Sequence, residues 1–265
     1  MVSVKRAANI GHRSGLGRIL AALLDMLLWI TTRWSGALSR LYAATWHLLG
    51  AGYYDQRFNS IAGPARWRWA ERGYFAYLAA KPGSIMLDLC CGDGIYPGVF
   101  LRALGGSIDA IDLDPRGIAI ATRRYGGPDV RFLVGNVITD PFPRPDYDMV
   151  SCFATFQYLT VEDANRLLAK IAKALKARDG IFVGSVPFFD APKSIDSTAV
   201  HNFRGVEEVK HMMATHFERV EIWRSIWEPG LTHCYFKCGK PQLATQPEID
   251  AAVQSHLREF PYQRA

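Results

Sequence analysis

The residues that could do chemistry begin at a glycine-rich turn after a short apolar stretch. In LDLCCGDG (87–94) the apolar segment carries Asp88, and Gly92 and Gly94 follow it. Glycine lets a ligand approach the backbone closely, and ligands of α/β sheets bind beyond the carboxyl ends of the strands. A carboxylate at that place repels phosphate and attracts positive charge. The turn therefore indicates a nucleotide-like cofactor that carries a cationic group and no phosphate.

Two further polar residues follow the next apolar stretches. Asp112 lies 18 residues after Gly94, where an acid can accept hydrogen bonds from both hydroxyls of a ribose. Asn136 follows the third stretch, where a short amide can face an adenine edge. A capping or turn role is the alternative for each residue. A dinucleotide is excluded, because the third glycine of its G-x-G-x-x-G fingerprint would fall on Pro97.

Alternating elements must position these residues. Strands are predicted at 85–89, 107–112, 130–134, 147–153, 180–186, 217–226 and 231–238. Helices are predicted at 64–80, 95–104, after Pro115, at 161–176 and at 206–215. Such alternation predicts an α/β fold, a doubly wound and mostly parallel sheet with helices on both faces. No helix separates the last two strands, so the last strand is predicted to be antiparallel.

Composition sets the broad class of the protein. The 265 residues are 49% hydrophobic and 21% charged, which suits a folded core and excludes a disordered chain. Five cysteines, with Cys90 and Cys91 adjacent, make a poor disulfide framework and indicate the reducing cytoplasm. None of the cysteines has partners at zinc spacing, so no metal site is predicted.

Residues 1–60 form a basic, apolar-rich segment with seven Lys or Arg against two Asp. The apolar run at 19–30 is shorter than the roughly 20 residues of a spanning helix, and Asp25 interrupts it. A second helical pattern covers 37–50. The two helices could cap the domain, lie on a membrane surface or form a dimer contact. We predict three regions: this segment, a cofactor-binding domain at 61–240, and a helical tail at 241–265.

The order of the motifs resembles that of the class I S-adenosylmethionine-dependent methyltransferases. The matching segments are LDLCCGDG (87–94), IDAIDLDP (108–115), VGNV (134–137), YDMVSCFATFQYL (147–159) and LLAKIAKALKARDGIFVGSVP (167–187). The resemblance covers about residues 80–240 and implies a Rossmann-like sheet of seven strands. It also implies S-adenosylmethionine as the cofactor.

By this resemblance, Asp88 would lie near the methionine ammonium and Asp112 would bind the ribose. The full implied cofactor set is Asp88, Cys90, Gly92, Gly94, Asp112, Leu113, Asn136, Val137 and Phe153. Two positions depart from the family pattern: Cys90 stands where the first glycine is usual, and Asn136 replaces a commoner acid. Both replacements are small or polar enough to keep the cofactor.

The sequence motifs identify the residues that would bind the methyl acceptor less specifically than those that would bind the cofactor. Methyl transfer to oxygen or carbon needs a base, and His201 is the predicted catalytic residue. Tyr54, Arg57, Gln157 and Tyr158 are the predicted substrate contacts. A structural role is the alternative for each of them.

The function predicted is methyl transfer from S-adenosylmethionine to a small-molecule or lipid-like acceptor by in-line displacement. The segment ATFQYL (154–159) lacks the Asn-Pro-Pro-Tyr sequence, which disfavours DNA amino-methylation. Nucleic acid is further disfavoured because RWRW (66–69) is the only basic cluster interleaved with aromatic residues. The alternative is a non-catalytic protein of the same fold at a membrane or in a complex. A homodimer and a cytoplasmic location, with or without membrane contact, complete the prediction.

Overall fold

The computed structural model describes residues 19–20, 22–31, 33–34, 37, 66–189, 199–228 and 231–260. Contacts divide the chain into two compact units, an N-terminal unit and a second unit formed chiefly by Trp67–Ala265. The predicted helix at 37–50 lies, except for residue 37, outside the described residues. Each unit is therefore described by itself.

In the N-terminal unit, residues 22–31 are helical, as the apolar run predicts. The side chains of Leu24, Leu27, Leu28 and Trp29 are 53–64% exposed. The guanidinium of Arg33 stacks on the Trp29 ring at 4.6 Å. Among the described residues, no helix combines the length and the apolar character needed to cross a bilayer.

The second unit is built on a seven-stranded sheet in the order β3-β2-β1-β4-β5-β7-β6. Its strands are β1 (Ile85–Leu89), β2 (Ser107–Asp112), β3 (Val130–Val134), β4 (Met149–Phe153), β5 (Ile181–Phe189), β6 (Phe217–Glu228) and β7 (Leu231–Pro241). The helices are α1 (Arg66–Ala79), α2 (Pro115–Tyr125), α3 (Val161–Ala174), α4 (Val206–Ala214) and α5 (Gln246–Glu259). Strands β1 to β5 are parallel, and β7 is antiparallel to both of its neighbours, which confirms the predicted fold class.

Some element boundaries differ from the prediction. The helix predicted at 95–104 is a π-helical turn over Tyr96–Leu101 followed by a 3-10 turn over Arg102–Leu104. Pro97 lies in the first turn, where its missing N–H breaks no hydrogen bond. Strands β5, β6 and β7 run longer than predicted because they pair with one another along their lengths, and that pairing depends on partners distant in sequence.

Two of the helix starts follow from side chains that cap them. The Asp114 carboxylate accepts a hydrogen bond from the backbone N–H of Arg116 at 2.9 Å, as the sequence predicts for the helix beginning at Pro115. Thr245 and Glu248 form a capping box at the start of α5. This helix fulfils the prediction of a helical tail and packs against α3 and α4.

The sheet buries different side chains on its two faces. One face carries the larger core, with Leu87, Val150 and Phe182 in contact with residues of α3 and α4. The other face carries Met86, Phe153 and Tyr235, which cluster with residues of α1. Because strand side chains alternate between faces, Asp88 lies on the same face as Met86, under α1.

A buried carboxylate connects the loop before α4 to α5. Oε1 of Glu208 lies 2.7 Å from Nε2 of His201 and 3.2 Å from Nε2 of His256, and all three residues are at most 3% exposed. Its Oε2 accepts the backbone N–H of Arg204 at 2.7 Å. Burial alone would raise the pKa of Glu208, but the hydrogen bonds from His201, His256 and Arg204 outweigh it and lower the pKa to about 2.

We expect Glu208→Gln to destabilise the protein at neutral pH by roughly 3 kcal/mol, because the ionised carboxylate is stabilised only in the folded state. A carboxyl whose pKa is depressed stabilises the fold above its unfolded pKa of 4.5 and loses that contribution as pH falls towards 2. Urea unfolding at pH 7 and pH 3 measures the difference. Glu207→Gln, on the exposed side of the same helix, is the matched control. Equal stability of the Glu208 and Glu207 variants at pH 7 would contradict this account.

Candidate active site

The glycine-rich turn after β1 has the backbone that its residues predict. Gly92 and Gly94 have φ of 56° and 79°, in the left-handed region that favours glycine. A side chain at Gly94 would also collide with Phe132, since its Cβ would lie 2.7 Å from that ring. Cys90 has φ of 57°, so the cysteine occupies a left-handed conformation at the place where the family pattern has glycine.

Asp112 connects the end of β2 to this turn. Its Oδ2 accepts the N–H of Gly92 at 2.8 Å, and its Oδ1 accepts the N–H of Asp114 at 2.9 Å. Each carboxylate oxygen has a second lone pair, so both can accept another hydrogen bond. The residue can thus hold two hydroxyls of a ligand while it fixes the turn.

Asp88 is a buried acid with one oxygen left without a partner. The residue is 2% exposed, and its Oδ1 accepts the Ser151 hydroxyl at 2.5 Å. Among the described residues, nothing donates a hydrogen bond to Oδ2. Burial raises the pKa of Asp88 to about 7, against the opposing hydrogen bond from Ser151 and with a smaller increase from the charge of Asp112. Such a carboxyl is suited to receive a cationic donor from a ligand.

The loop after β3 differs in part from its predicted role. Oδ1 of Asn136 accepts the N–H of Ile138 at 2.9 Å, so the amide oxygen holds its own loop and the NH₂ group is the part that could donate to a ligand. Val137 is 7% exposed and packs in the larger core, whereas Leu113 is 67% exposed. A cavity of about 270 Å³ lies at this loop and is lined by Asn136. A larger cavity, about 580 Å³, is lined by none of the predicted site residues.

Phe153 ends β4 on the face that carries Asp88. Its ring lies 5.7 Å from that of Tyr96 and 6.5 Å from that of Tyr235. Next along the chain, Ala154 has φ of 50°, a strained conformation for a residue with a side chain. The structure therefore brings Phe153 and Asp88 to one edge of the sheet, as predicted.

The predicted acceptor contacts fall in different places. Gln157 is 4% exposed, donates through Nε2 to the carbonyl of Ala154 and leaves Oε1 without a hydrogen bond among the described residues. Tyr158 is 46% exposed. Tyr54 and Arg57 lie outside the described residues.

His201, the predicted base, lies in the segment between β5 and α4, next to the turn that follows β4. The backbone carbonyl of Gln157 accepts the N–H of His201 at 2.9 Å. The side chain is 3% exposed, and its Nε2 contacts Glu208 as described above. The catalytic role of His201 stays a prediction, and its imidazole would reach an acceptor only through Nδ1.

A group of residues under α1 was not predicted from the sequence. Glu71 accepts hydrogen bonds from Ser225, Trp227 and Tyr235 at 2.8–2.9 Å. Arg72 follows it on the same helix and is 4% exposed. The sequence signal was the run RWRWAER (66–72), in which charged and aromatic residues alternate, but helical spacing alone does not show which charges are buried.

The residues present fit a cationic, ribose-bearing cofactor. Asp88 offers a buried oxygen for an ammonium group, and Asp112 offers two acceptors for the ribose hydroxyls. The open backbone at Gly92 lets a ligand lie close between them.

Comparisons with known proteins agree with this geometry. The family described as "Methyltransferase domain" matches residues 86–178. Demethylmenaquinone methyltransferase of Lactobacillus johnsonii is 27% identical over 145 residues, which is 52% of this chain and 58% of that protein. The 2-phytyl-1,4-naphtoquinone methyltransferase of Nostoc is 29% identical over 134 residues, 48% of this chain and 56% of that protein. The chain thus matches a little over half the length of these relatives.

A solved structure supports the fold. Haemonchus contortus phosphoethanolamine N-methyltransferase 2, in complex with phosphomonomethylethanolamine and S-adenosylhomocysteine, aligns with a TM-score of 0.56 at 17% identity. The alignment covers 66% of this chain and 53% of that one. Strand order and the matched domain agree: residues 86–178 match the family described as "Methyltransferase domain", and the sheet has the fold of this solved methyltransferase.

Proposed function

We propose that the protein transfers a methyl group from S-adenosylmethionine to a small molecule that carries a flat hydroxylated ring. The observation that carries this proposal is the buried Asp88 with its unpartnered oxygen beside a layer of aromatic rings. Two relatives are named for methylating naphthoquinone-type compounds, which supports a ring-bearing acceptor. The aromatic side chains beyond Phe153 suit such a ring better than a small aliphatic amine.

Each site residue has a separate task in this proposal. Asp88 binds the ammonium of the cofactor, and Asp112 binds its ribose. Leu113, exposed at the end of β2, packs on the adenine, and the NH₂ group of Asn136 faces the adenine edge. Phe153 and Tyr96 exclude water beside the methionine part, because both are at most 7% exposed.

The protein contributes orientation and exclusion of water more than bond-making groups. When bound, S-adenosylmethionine supplies an electrophilic methyl group whose bond to sulfur breaks with the electron pair left on sulfur. The acceptor donates the pair for the new bond and releases a proton to a base or to water. His201 is the residue proposed for that base, through Nδ1, while Glu208 fixes its ring at Nε2.

We expect methyl transfer from labelled S-adenosylmethionine to dithionite-reduced 2-phytyl-1,4-naphthoquinone. Asp112→Ala should weaken cofactor binding about 10- to 100-fold, because two charge-assisted hydrogen bonds are lost and the turn at Gly92 loses its acceptor. Asp114→Ala, which removes the cap of α2 and an exposed ion pair with Arg116, is the matched control and should keep the affinity. Labelled product is measured by liquid chromatography.

Two results would contradict this assignment. Unchanged cofactor affinity in Asp112→Ala would remove Asp112 from the site. Tight cofactor binding with no methyl transfer to the quinol or to any acceptor in a cell extract would favour a non-catalytic binding protein.

Cofactor affinity should depend on pH through Asp88. Burial raises the pKa of this carboxyl to about 7, so it must lose a proton before it can pair with an ammonium. Affinity should therefore rise as pH increases from 5.5 to 7.5, a range in which an α-amino group of ordinary pKa stays largely protonated. Calorimetry with S-adenosylhomocysteine measures this, and Asp88→Asn should give weaker, pH-independent binding. A wild-type affinity that does not change over this range would rule out the role.

We also propose that the N-terminal helix contacts an anionic membrane surface, which would bring the enzyme to a lipid-like acceptor. Its exposed leucines, Trp29 and the neighbouring arginine suit the interface between headgroups and acyl chains. A homodimer contact through the same helix stays the alternative prediction.

Sedimentation with vesicles that contain phosphatidylglycerol tests this contact. Leu24→Glu with Leu28→Glu should lower the bound fraction several-fold, because the charges oppose insertion of the apolar face. Leu243→Glu, at an exposed leucine of the second unit, is the control and should leave binding unchanged. Equal sedimentation of all three proteins would overturn the proposal.

A further inference from the structure

Arg72 is a buried cation that forms no direct ion pair within the described residues. It is 4% exposed, and its guanidinium lies between two indole rings, 4.6 Å from Trp69 and 4.9 Å from Trp227. Its Nε has no hydrogen-bond acceptor among the described residues, and within that part of the chain no carboxylate forms an ion pair with it. Burying a charge without a partner is costly, so such an arginine calls for an anion.

The neighbouring carboxylate, on Glu71, accepts hydrogen bonds from three neutral side chains. Glu71 accepts the hydroxyl of Ser225 with Oε1, and it accepts the indole N–H of Trp227 and the hydroxyl of Tyr235 with Oε2. These three bonds connect α1 to β6 and β7. Glu71 therefore serves to position the aromatic side chains, whereas the contacts of Arg72 among the described residues are cation–π contacts with two indole rings.

Arg72 lies over the face of the sheet that carries the cofactor acid. The register pairs Asp88 with Ser151, Phe153 with Ser185, and Ser185 with Tyr235, so these side chains share one face. Tyr96 lies between Arg72 and this row: the charge of Arg72 acts to lower the pKa of its phenol, and its ring lies 5.7 Å from that of Phe153. The cation and the predicted methionine site are thus connected through two aromatic rings.

The surroundings of Arg72 are flat and apolar. The ring of His233 stacks on that of Trp227 at 3.8 Å with an angle of 25° between the planes. Burial lowers the pKa of His233 to about 2, with a further decrease from the charge of Arg72, so this imidazole is neutral and adds no second cation. A planar ligand with one negative oxygen matches a single cation among aromatic faces.

We propose that Arg72 binds an anionic oxygen of the acceptor, so that the acceptor is a hydroxylated ring bound as its oxyanion. This inference rests on the proposed methyl transfer to a ring-bearing molecule and specifies its substrate class. A guanidinium that donates N–H groups to the oxygen stabilises the ionised form of the hydroxyl. An oxyanion donates more electron density to its ring than a neutral hydroxyl does, and this favours attack on an electrophilic methyl group.

The test compares two stable probes that differ in charge. 2-Hydroxy-1,4-naphthoquinone is anionic at neutral pH, and 2-methoxy-1,4-naphthoquinone is its neutral analogue. We expect the full-length protein to bind the anionic probe about 10- to 100-fold more tightly, the usual effect of a hydrogen bond to a charged group. Arg72→Gln should remove this preference and keep the affinity for the neutral probe, and Arg72→Lys should restore part of it.

Controls separate this proposal from the function on which it rests. Arg166→Gln, at an exposed arginine of α3, should leave both affinities unchanged. Both probes are measured with and without S-adenosylhomocysteine. Failure to bind S-adenosylhomocysteine would count against methyl transfer, whereas equal affinity of the wild type for both probes would overturn the role of Arg72 alone. That wild-type comparison remains decisive if Arg72→Gln does not fold.

Discussion

The site depends on the Asp112 carboxylate, which closes the gap between the ends of two parallel strands. By accepting the N–H of Gly92 it fixes the left-handed turn after β1, and by accepting the N–H of Asp114 it sets the start of α2. The turn then places the backbone of Gly92 next to the end of β1, which carries Asp88. A parallel sheet brings these strand ends to one edge, so the cofactor site follows from topology once this carboxylate is in place.

Two buried charged residues, Asp88 and Arg72, lie on the α1 face of the sheet near that edge. Burial makes the ionised form of Asp88 costly and so raises its pKa. Arg72 is a buried cation that contacts two aromatic rings and no carboxylate among the described residues. Phe153 and Tyr96 lie between them. This pair of charges is the basis of the proposal that the protein binds a cationic cofactor at Asp88 and an anionic acceptor at Arg72. The same low-dielectric surroundings that make each charge costly strengthen its contact with the correct ligand.

The parallel strands and the polar residues at their ends could be predicted because the central strands are largely apolar and short polar motifs follow them. Asp88, Asp112 and the glycine turn needed only local sequence. The lengths of β5, β6 and β7 could not be predicted, since their pairing joins distant segments. Arg72 and Glu71 were missed because helical spacing in RWRWAER does not show which charged residue another element will bury. In the loop after β3, Asn136 is half-buried and bonds its own loop, and Val137 lies in the core, which the local sequence did not show.

Titration calorimetry of the purified protein with S-adenosylhomocysteine at pH 7.5 tests most directly whether Asp88 and Asp112 form a cofactor site. The account predicts one site per chain, with micromolar affinity, set by an ionised Asp88 and the two acceptors of Asp112. Folded protein that takes up no S-adenosylhomocysteine and no S-adenosylmethionine would contradict it. In that case the left-handed Cys90 and the amide at Asn136 would mark a methyltransferase fold that has lost its cofactor.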